Sequence, residues 1–387
     1  MENNAIRVAF VLEDARMAGP QAYLLQLIHE LNEVESIVII PELNSEEFNK
    51  RLRNYSINTV NIKLTRPSST FRGFFKYMCN FPVEVLRLRR TINLINADIV
   101  YVGGGAWQVK GIMAAKLLKI KSIWQLNDTC LPKVIRGAFF ILCTLADSFV
   151  FVSEKTFNYY KPIMRLAKNR YKIIPSPINC RVFNVLERPS YRQTMIKGYK
   201  NSFVIGTVCS INPVKNIKYL IEIAHKLENS KFKDLIEFKI FGPIPDTQKK
   251  YFLEIQKLIV DLKLNNIKFM GATDQVVKAL KSIDVYLCTS DFEASPIAVW
   301  EAMASGVPVV STDVGDVPKH ILSSGAGSII PKNNPKVAAD VILKLLNDCT
   351  KLENYGIVAA QYAAAAFDAK KCAALHTEFF NQINQVK

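Results

Sequence analysis

The sequence lacks the features that mark membrane-spanning and secreted proteins. Its longest uncharged apolar run, GAFFILCTLA at residues 137–146, ends at Asp147. That run has about half the length needed to span a bilayer, so no transmembrane helix is expected. The opening MENNAIRVAFVLED has an acidic start and only a short apolar run, which argues against a signal peptide.

Paired cysteines and clustered histidines are also missing. The eight cysteines include no Cys-x-x-Cys pair, and the four histidines are scattered. Dispersed cysteines in apolar segments are typical of reduced thiols, so a cytosolic protein is predicted. With no Asp-x-Asp pair either, we expect no metal site.

Acidic residues are scarce relative to basic ones. The 387-residue chain has 50 lysines and arginines against 34 aspartates and glutamates, a formal net charge of +16. A soluble enzyme needs no such excess, so the charge points to a polyanionic partner: a phosphorylated ligand, an anionic membrane surface or a nucleic acid. Because no nucleic-acid recognition motif is present, a nucleic-acid partner is not expected.

What the sequence does contain is an alternation of strand-like apolar runs with helical patterns, which predicts an α/β fold with parallel sheets. The length suits two domains of roughly 150 to 200 residues each. A polar stretch, Leu186–Ser202, is the predicted linker. We predict seven strands before it, at IRVAFVL, SIVII, VNIKL, ADIVYV, KSIWQL, DSFVFVS and YKIIP, and six after it, at SFVIGTVC, IEFKIFG, IKFMG, DVYLC, VPVVST and AGSII.

The segment DFEASPIAVWEAMASGVPVVS, residues 291–311, predicts a strand, a loop and a helix start that could hold a ligand. Ser295 is expected to be the helix N-cap, and Pro296 suits the first helical position. The free backbone amides of Ile297 and Ala298, with the positive end of the helix dipole, would form an anion site suited to a diphosphate.

Two carboxylates accompany this anion site. Glu293 precedes the helix, and Glu301 lies more than one turn inside it. Either glutamate alone could be a capping charge or a solvated side chain. Together they favour a nucleotide sugar, because that ligand carries hydroxyl pairs on both sides of its diphosphate, on the transferred hexose and on the ribose.

The block Glu293–Gly315, with the preceding IKFMGATDQVVKALKSIDVYLCTS, resembles the donor-binding domain of glycosyltransferase family 4, retaining enzymes of the GT-B fold. Fainter similarity covers AFVLEDARMAGPQAYLLQLIHEL, ADSFVFVSEKT and IIPSPINCRVF. The resemblance implies two Rossmann-like doubly wound domains with an interdomain cleft. Its parts would be an acceptor domain at 1–177, a linker region at 178–202, a nucleotide-sugar donor domain at 203–365, and a helix at 366–387 that crosses back to the first domain.

The resemblance also implies roles for individual residues. Glu293 would contact hydroxyls of the donor sugar, Glu301 would contact the ribose, and Lys215 would neutralise the diphosphate. Further donor contacts would come from Ser295, Ile297, Ala298, Gly242, Gly271, Asp274 and Gly19. The family needs no metal or other cofactor, because a lysine and a helix start can neutralise the leaving diphosphate.

Two positions depart from the family pattern. Ser210 stands five residues before Lys215, where an arginine is usual, and is kept as a donor-binding candidate. Asn127 and Asp128 stand in the segment where a histidine is usual, and both are kept as catalytic candidates. Asn127 could hydrogen-bond the donor sugar but is neither an acid nor a base, so the leaving diphosphate is expected to act as the base.

The segment 63–90 combines seven basic residues with the single acid Glu84. Phe71, Phe74, Phe75 and Met78 have helical spacing, which predicts an apolar face beside basic side chains. Such a helix either packs on the protein's own core or lies in the surface of an anionic membrane, as a lipid-linked acceptor would require. A second basic cluster at 155–172 favours the membrane.

The predicted activity is retaining transfer of a hexosyl or N-acetylhexosaminyl group from a nucleotide sugar, a UDP-sugar in preference to a GDP-sugar, to a glycan or lipid-diphosphate-linked acceptor. Assembly of bacterial O-antigen or capsule is the expected context, at the inner face of the cytoplasmic membrane. One alternative is a catalytically impaired partner subunit, with Ser210 and Asn127 as the marks of loss. Another is a sugar-nucleotide epimerase, which would process the donor with no acceptor present.

Overall fold

A computed structural model describes residues 5–66, 71–129, 131–164, 170–184 and 202–385. The chain divides into two compact units, a first one of residues 1–177 with 369–387 and a second one of residues 178–368. The predicted linker Leu186–Ser202 lies outside the described residues except for Ser202, and the basic cluster at 155–172 lies partly outside them.

The first unit is built on a parallel seven-stranded sheet in the order β3-β2-β1-β4-β5-β6-β7. The strand order changes direction beside β1, and in such sheets ligands bind at the carboxyl ends of the strands near that point. The strands are β1 (Ile6–Val11), β2 (Val34–Pro41), β3 (Asn58–Ile62), β4 (Ile99–Val102), β5 (Lys121–Leu126), β6 (Ser148–Phe151) and β7 (Tyr171–Ile173). The helices are α1 (Gly19–Glu30), α2 (Glu46–Asn54), α3 (Phe71–Leu94), α4 (Lys110–Leu118), α5 (Lys133–Leu142) and α6 (Glu154–Tyr160).

The second unit has a parallel six-stranded sheet in the order β10-β9-β8-β11-β12-β13. Here the order changes direction beside β8, so the loops after β8 and β11 flank the switch point. The strands are β8 (Phe203–Val208), β9 (Ile236–Phe241), β10 (Ile267–Gly271), β11 (Val285–Cys288), β12 (Val309–Thr312) and β13 (Gly327–Ile330). The helices are α7 (Ile217–Leu227), α8 (Lys249–Asp261), α9 (Val276–Lys281), α10 (Ile297–Ala304), α11 (Val317–Ser324), α12 (Pro335–Leu346) and α13 (Cys349–Ala366).

A last described helix, α14 (Ala369–Gln385), belongs to the first unit and packs against α1. Its His376 is fully buried, and Nε2 lies 3.2 Å from the Tyr23 hydroxyl and 3.3 Å from the Tyr101 hydroxyl. Burial lowers the pKa of His376 to about 4, so the ring is neutral. It then donates from Nδ1 to the Cys372 carbonyl at 2.8 Å and accepts from a tyrosine hydroxyl at Nε2.

The sheets confirm the predicted α/β fold, and every predicted strand coincides with an observed one. The strands can be recognised in the sequence because strands of a parallel sheet are covered on both faces and are therefore almost wholly apolar. In β4, for example, all four residues are buried. Among the described residues, no helix combines the length and apolarity needed to cross a membrane.

Helix α3 carries large apolar side chains on its exposed face. It packs against α4, and its buried residues are Tyr77, Glu84, Val85, Leu88 and Ile92. The predicted apolar residues instead face outward, with Phe71 87% and Phe75 62% exposed. Arg72 and Lys76 are exposed on the same helix. The interpretation of this apolar face as a packed core face is therefore wrong.

Candidate active site

In the second unit, a lysine and a glutamate meet at the carboxyl ends of two adjacent strands. The loop after β8 carries Lys215, and the loop after β11 carries Glu293. Lys215 Nζ lies 2.5 Å from Glu293 Oε1, and the Ser290 hydroxyl donates to the same oxygen at 2.9 Å. Both charged side chains are largely buried, with 25% of Lys215 and 14% of Glu293 exposed. The second carboxylate oxygen of Glu293 has no partner among the described residues.

Local turns fix both members of this pair. Lys215 ends a short helical turn, Pro213–Lys215, whose preceding Asn212 accepts from the Lys215 backbone amide at 3.3 Å. The Thr289 hydroxyl donates to the Lys215 carbonyl at 3.0 Å, which ties the two loops together. Burial alone would lower the pKa of Lys215, but the neighbouring Glu293 carboxylate outweighs burial and raises that pKa. The lysine therefore stays charged at neutral pH.

The helix beside the pair begins one residue later than predicted. Pro296 is the N-cap of α10 and Ile297 its first residue, with no side chain capping the helix. The prediction of Ser295 as N-cap is wrong because its hydroxyl accepts from Trp300 Nε1 at 3.0 Å instead. The backbone amides of Ile297 and Ala298 consequently have no acceptor among the described residues. Both stay available to an anion.

Glu301 stands in the second turn of α10, half-buried. Burial raises the pKa of its carboxyl group to about 8, and no described side chain or backbone amide hydrogen-bonds it. An unpaired, partly desolvated carboxyl group of this kind is typical of functional sites rather than of solvated helix faces.

Glycines bring neighbouring loops close to the pair. Gly242, after β9, has a φ of 140°, and a Cβ there would lie 1.8 Å from the Cys209 carbonyl oxygen. Gly271 also has a positive φ, 75°, and its carbonyl accepts from the Gly242 amide at 2.8 Å. Asp274 is exposed in the loop that follows β10. Ser210 contributes its carbonyl, which accepts from the Asn212 amide group at 3.1 Å.

The remaining predicted residues belong to the first unit. Asp128, just after β5, accepts from the Tyr160 hydroxyl and from the Ala106 backbone amide, so its carboxylate is already bound. Burial raises the pKa of Asp128, and these hydrogen bonds oppose that rise. Asn127 is half-buried, and its amide has no partner among the described residues. Gly19 begins α1, where a Cβ would meet open space.

Two features of the site escaped sequence reasoning. Ser290 donates to Glu293, and the one sequence signal for it is its place directly after a buried strand, which is usual for ligand-binding residues. The direct contact between Lys215 and Glu293 was not predicted either. These residues are 78 positions apart, and only the adjacency of β8 and β11 brings them together.

Comparison with known proteins finds similarity to glycosyltransferases. Residues 195–361 match the family model of glycosyl transferases group 1. The poly(ribitol-phosphate) alpha-N-acetylglucosaminyltransferase of Staphylococcus aureus is 28% identical over 162 residues, which are 41% of this chain and 31% of that protein. The N,N'-diacetylbacillosaminyl-diphospho-undecaprenol alpha-1,3-N-acetylgalactosaminyltransferase of Campylobacter jejuni is 23% identical over 331 residues, 81% of this chain and 82% of that protein.

Solved structures extend the likeness to the whole fold. HepE of Anabaena, in complex with UDP and glucose, matches with a TM-score of 0.81 at 16% identity, over 97% of this chain and 99% of that chain. The fold is therefore GT-B, as predicted. The matched relatives and the family model support a glycosyltransferase, although the chain spans only about a third of the length of the Staphylococcus protein.

Proposed function

We propose that this chain is a metal-independent, retaining glycosyltransferase of family 4. It transfers a hexosyl or N-acetylhexosaminyl group from a nucleotide sugar, in preference a UDP-sugar, to a glycan or lipid-linked acceptor in bacterial surface-polysaccharide assembly. The observation that carries the proposal is the pairing of Lys215 with Glu293 beside two helix amides, those of Ile297 and Ala298, that have no acceptor among the described residues. The relatives add support, because the Staphylococcus and Campylobacter proteins are both named as alpha-N-acetylhexosaminyl transferases.

On donor binding, Lys215 and Glu293 would separate, and each would bind a different part of the donor. The ammonium group of Lys215 donates to an oxygen of the diphosphate in place of Glu293, and the amides of Ile297 and Ala298 donate to other phosphate oxygens. Glu293, released from the lysine, accepts from hydroxyls of the transferred sugar. Glu301 accepts from the ribose hydroxyls on the other side of the diphosphate.

Transfer then breaks the bond between the anomeric carbon and the diphosphate oxygen. The acceptor hydroxyl oxygen bonds to that carbon from the same face, and its proton passes to the departing phosphate oxygen. Lys215 and the helix amides stabilise the negative charge that collects on the diphosphate as the bond breaks. No side-chain base is needed, which agrees with Asn127 standing where the family usually has a histidine.

The exposed face of α3 supports a peripheral location on the inner face of the cytoplasmic membrane. Phe71, Phe75, Met78 and Leu86 are all more than half exposed, and they recur at the spacing of one helix face. Arg72 and Lys76 stand beside them. Helices of this kind bind membranes because their apolar side chains enter the headgroup region and their basic side chains contact anionic lipids.

The test is release of free nucleotide from a panel of UDP-sugars and GDP-sugars, with and without a lipid-diphosphate acceptor. We expect release from a UDP-sugar only with acceptor, and its loss in Glu293→Ala while UDP still binds. The matched control is Glu254→Gln, which removes an exposed carboxylate from α8 of the same unit. Binding without turnover in any combination would favour the partner subunit, and conversion of the donor without acceptor would favour the epimerase.

A further inference from the structure

A buried ion cluster lies in the first unit. Lys110 is fully buried, and its Nζ lies 2.6 Å from Glu84 Oε2 and 3.3 Å from Glu13 Oε2. It also lies 3.8 Å from the centre of the Tyr77 ring, whose hydroxyl donates to Glu13 at 3.0 Å. Burial raises the pKa of Glu13, and the charge of Lys110 opposes that rise. Since burying such charges rarely adds net stability, the cluster calls for another explanation.

The cluster fixes a surface segment beyond β3. Thr65 donates to Glu84 from its backbone amide at 2.8 Å and from its hydroxyl at 3.0 Å. Its carbonyl accepts from Lys110 Nζ at 2.6 Å. Every polar group of Thr65 is thus held by the buried charges. These hydrogen bonds therefore fix the direction of the backbone at the next residue, Arg66.

The same cluster fixes a second segment beyond β1, because Glu13 is followed directly by Asp14. Asp14 stands between two arginines: Arg16 Nη2 lies 2.6 Å and Arg66 Nη1 lies 3.6 Å from the same oxygen, Oδ2. The two nitrogens are therefore separated by no more than the sum of these distances. Both arginine side chains are about half exposed, at 54% and 44%.

Two guanidinium groups around one carboxylate leave one positive charge in excess. Arg16 uses Nε and Nη2 on Asp14, and Arg66 approaches it with Nη1 only. A guanidinium group has five N–H donors, so several of them have no acceptor among the described residues. Closely spaced guanidinium donors with an excess positive charge match the oxygens of a phosphoryl group.

We propose that Arg16 and Arg66 form a phosphoryl-binding site at the carboxyl ends of β1 and β3, and that the buried Lys110 cluster positions it. The ligand is a phosphate or diphosphate ester, and its identification with the acceptor's phosphate rests on the proposed function. The site stands at the end of the sheet where ligands of such folds bind. Arg66 lies only five residues before Phe71, the first exposed apolar residue of α3. A phosphate carried on a lipid would be presented at this place.

The first experiment uses the full chain saturated with UDP, so that the Lys215 site is filled, and titrates inorganic pyrophosphate by calorimetry. We expect one binding event that weakens at least about tenfold in the double variant Arg16→Ala with Arg66→Ala. The matched control is Arg51→Ala, an exposed arginine that pairs with Glu47 at 2.7 Å on α2. Absence of pyrophosphate binding, or equal weakening in the control, would overturn the site.

Two further arms separate the sources of the phosphate and test the positioning role. If the double variant raises KM for a lipid-diphosphate acceptor at unchanged kcat, the ligand is the acceptor. If it instead loses only flotation with phosphatidylglycerol vesicles, the ligand is a phospholipid headgroup. Glu84→Gln, which touches neither arginine, should weaken pyrophosphate binding several-fold at unchanged UDP affinity, and unchanged pyrophosphate affinity would remove the positioning role. UDP affinity is measured throughout, so failure of the donor site is seen separately.

Discussion

Replacing Glu293 by glutamine should change donor binding and transfer in opposite directions. In the free protein the carboxylate holds Lys215, the group that the diphosphate needs, and two negative charges then compete for one lysine. Glutamine is neutral, so it holds the lysine less tightly and does not repel the diphosphate. UDP should therefore bind more tightly to Glu293→Gln than to the wild type, while sugar transfer falls because the amide accepts sugar hydroxyl groups less strongly than a carboxylate does.

The magnitudes follow from burial of the pair. With exposed fractions of 25% and 14%, the ion pair lies between a surface pair and a fully buried one. The ion pair then contributes a net free energy of about 1 kcal/mol in the free protein, and its loss corresponds to about fivefold tighter UDP binding. Hydrogen bonds to a charged group contribute about 1.5–3 kcal/mol. Set against the gain of about 1 kcal/mol from the freed lysine, losing one such bond from the reacting sugar should lower kcat/KM by about 2- to 30-fold.

Calorimetric titration with UDP and initial rates of transfer measure the two effects in one set of variants. Lys215→Met supplies the contrast, because it should weaken both UDP binding and transfer. Glu254→Gln, an exposed carboxylate on α8, should change neither. If Glu293→Gln weakened UDP binding as Lys215→Met does, the exchange of partners within the ion pair would be refuted.

The structure also predicts the direction in which three further substitutions change stability or membrane binding. Because burial raises the pKa of Glu301 from 4.5 to about 8, its ionisation destabilises the folded state. The melting temperature of the wild type should therefore fall relative to that of Glu301→Gln as the pH rises from about 5 to 8. Above about pH 8 the difference between the two proteins should stay constant. A constant difference over the whole pH range would contradict this. Phe75→Ser should reduce flotation with anionic vesicles. The control Val260→Ser changes an exposed residue on α8 of the second unit and should not reduce it. Equal loss of flotation in both variants would refute the role of α3 in membrane binding. Gly242→Ala forces a Cβ against a carbonyl oxygen at a φ of 140° and should cost about 2–3 kcal/mol in denaturant titration, whereas Gly19→Ala, which meets open space, should be near neutral.

Features encoded in short apolar runs were predictable from the sequence. The thirteen strands of the described residues and the helix after Glu293 could be predicted, because buried parallel strands and helix starts leave local patterns. The helix α10 begins one residue later than the sequence indicates, since Ser295 has the right chemistry for a cap and only the fold brings Trp300 to its hydroxyl. Local propensity does not include such tertiary competitors.

Contacts between distant residues could not be predicted. Lys110 meets Glu84 and Glu13 from 26 and 97 positions away, and no periodicity connects them. One clue was present, because Glu84 was the single acid in a long basic segment. Likewise, the spacing of Phe71 and Phe75 indicates an apolar face on α3, but only the burial of Tyr77 and Leu88 on another side of the helix shows that this face points outward.

The place of α14 has a consequence for the order in which the protein is made. Residues 369–385 follow the whole second unit in the chain, yet their Phe379, Phe380 and His376 are buried in the first unit. The nascent first unit therefore lacks part of its core until the second has been translated. Translation normally lets the amino-terminal domain fold first. Here the surface around Tyr23 and Tyr101 stays uncovered until α14 has been made, after the second unit.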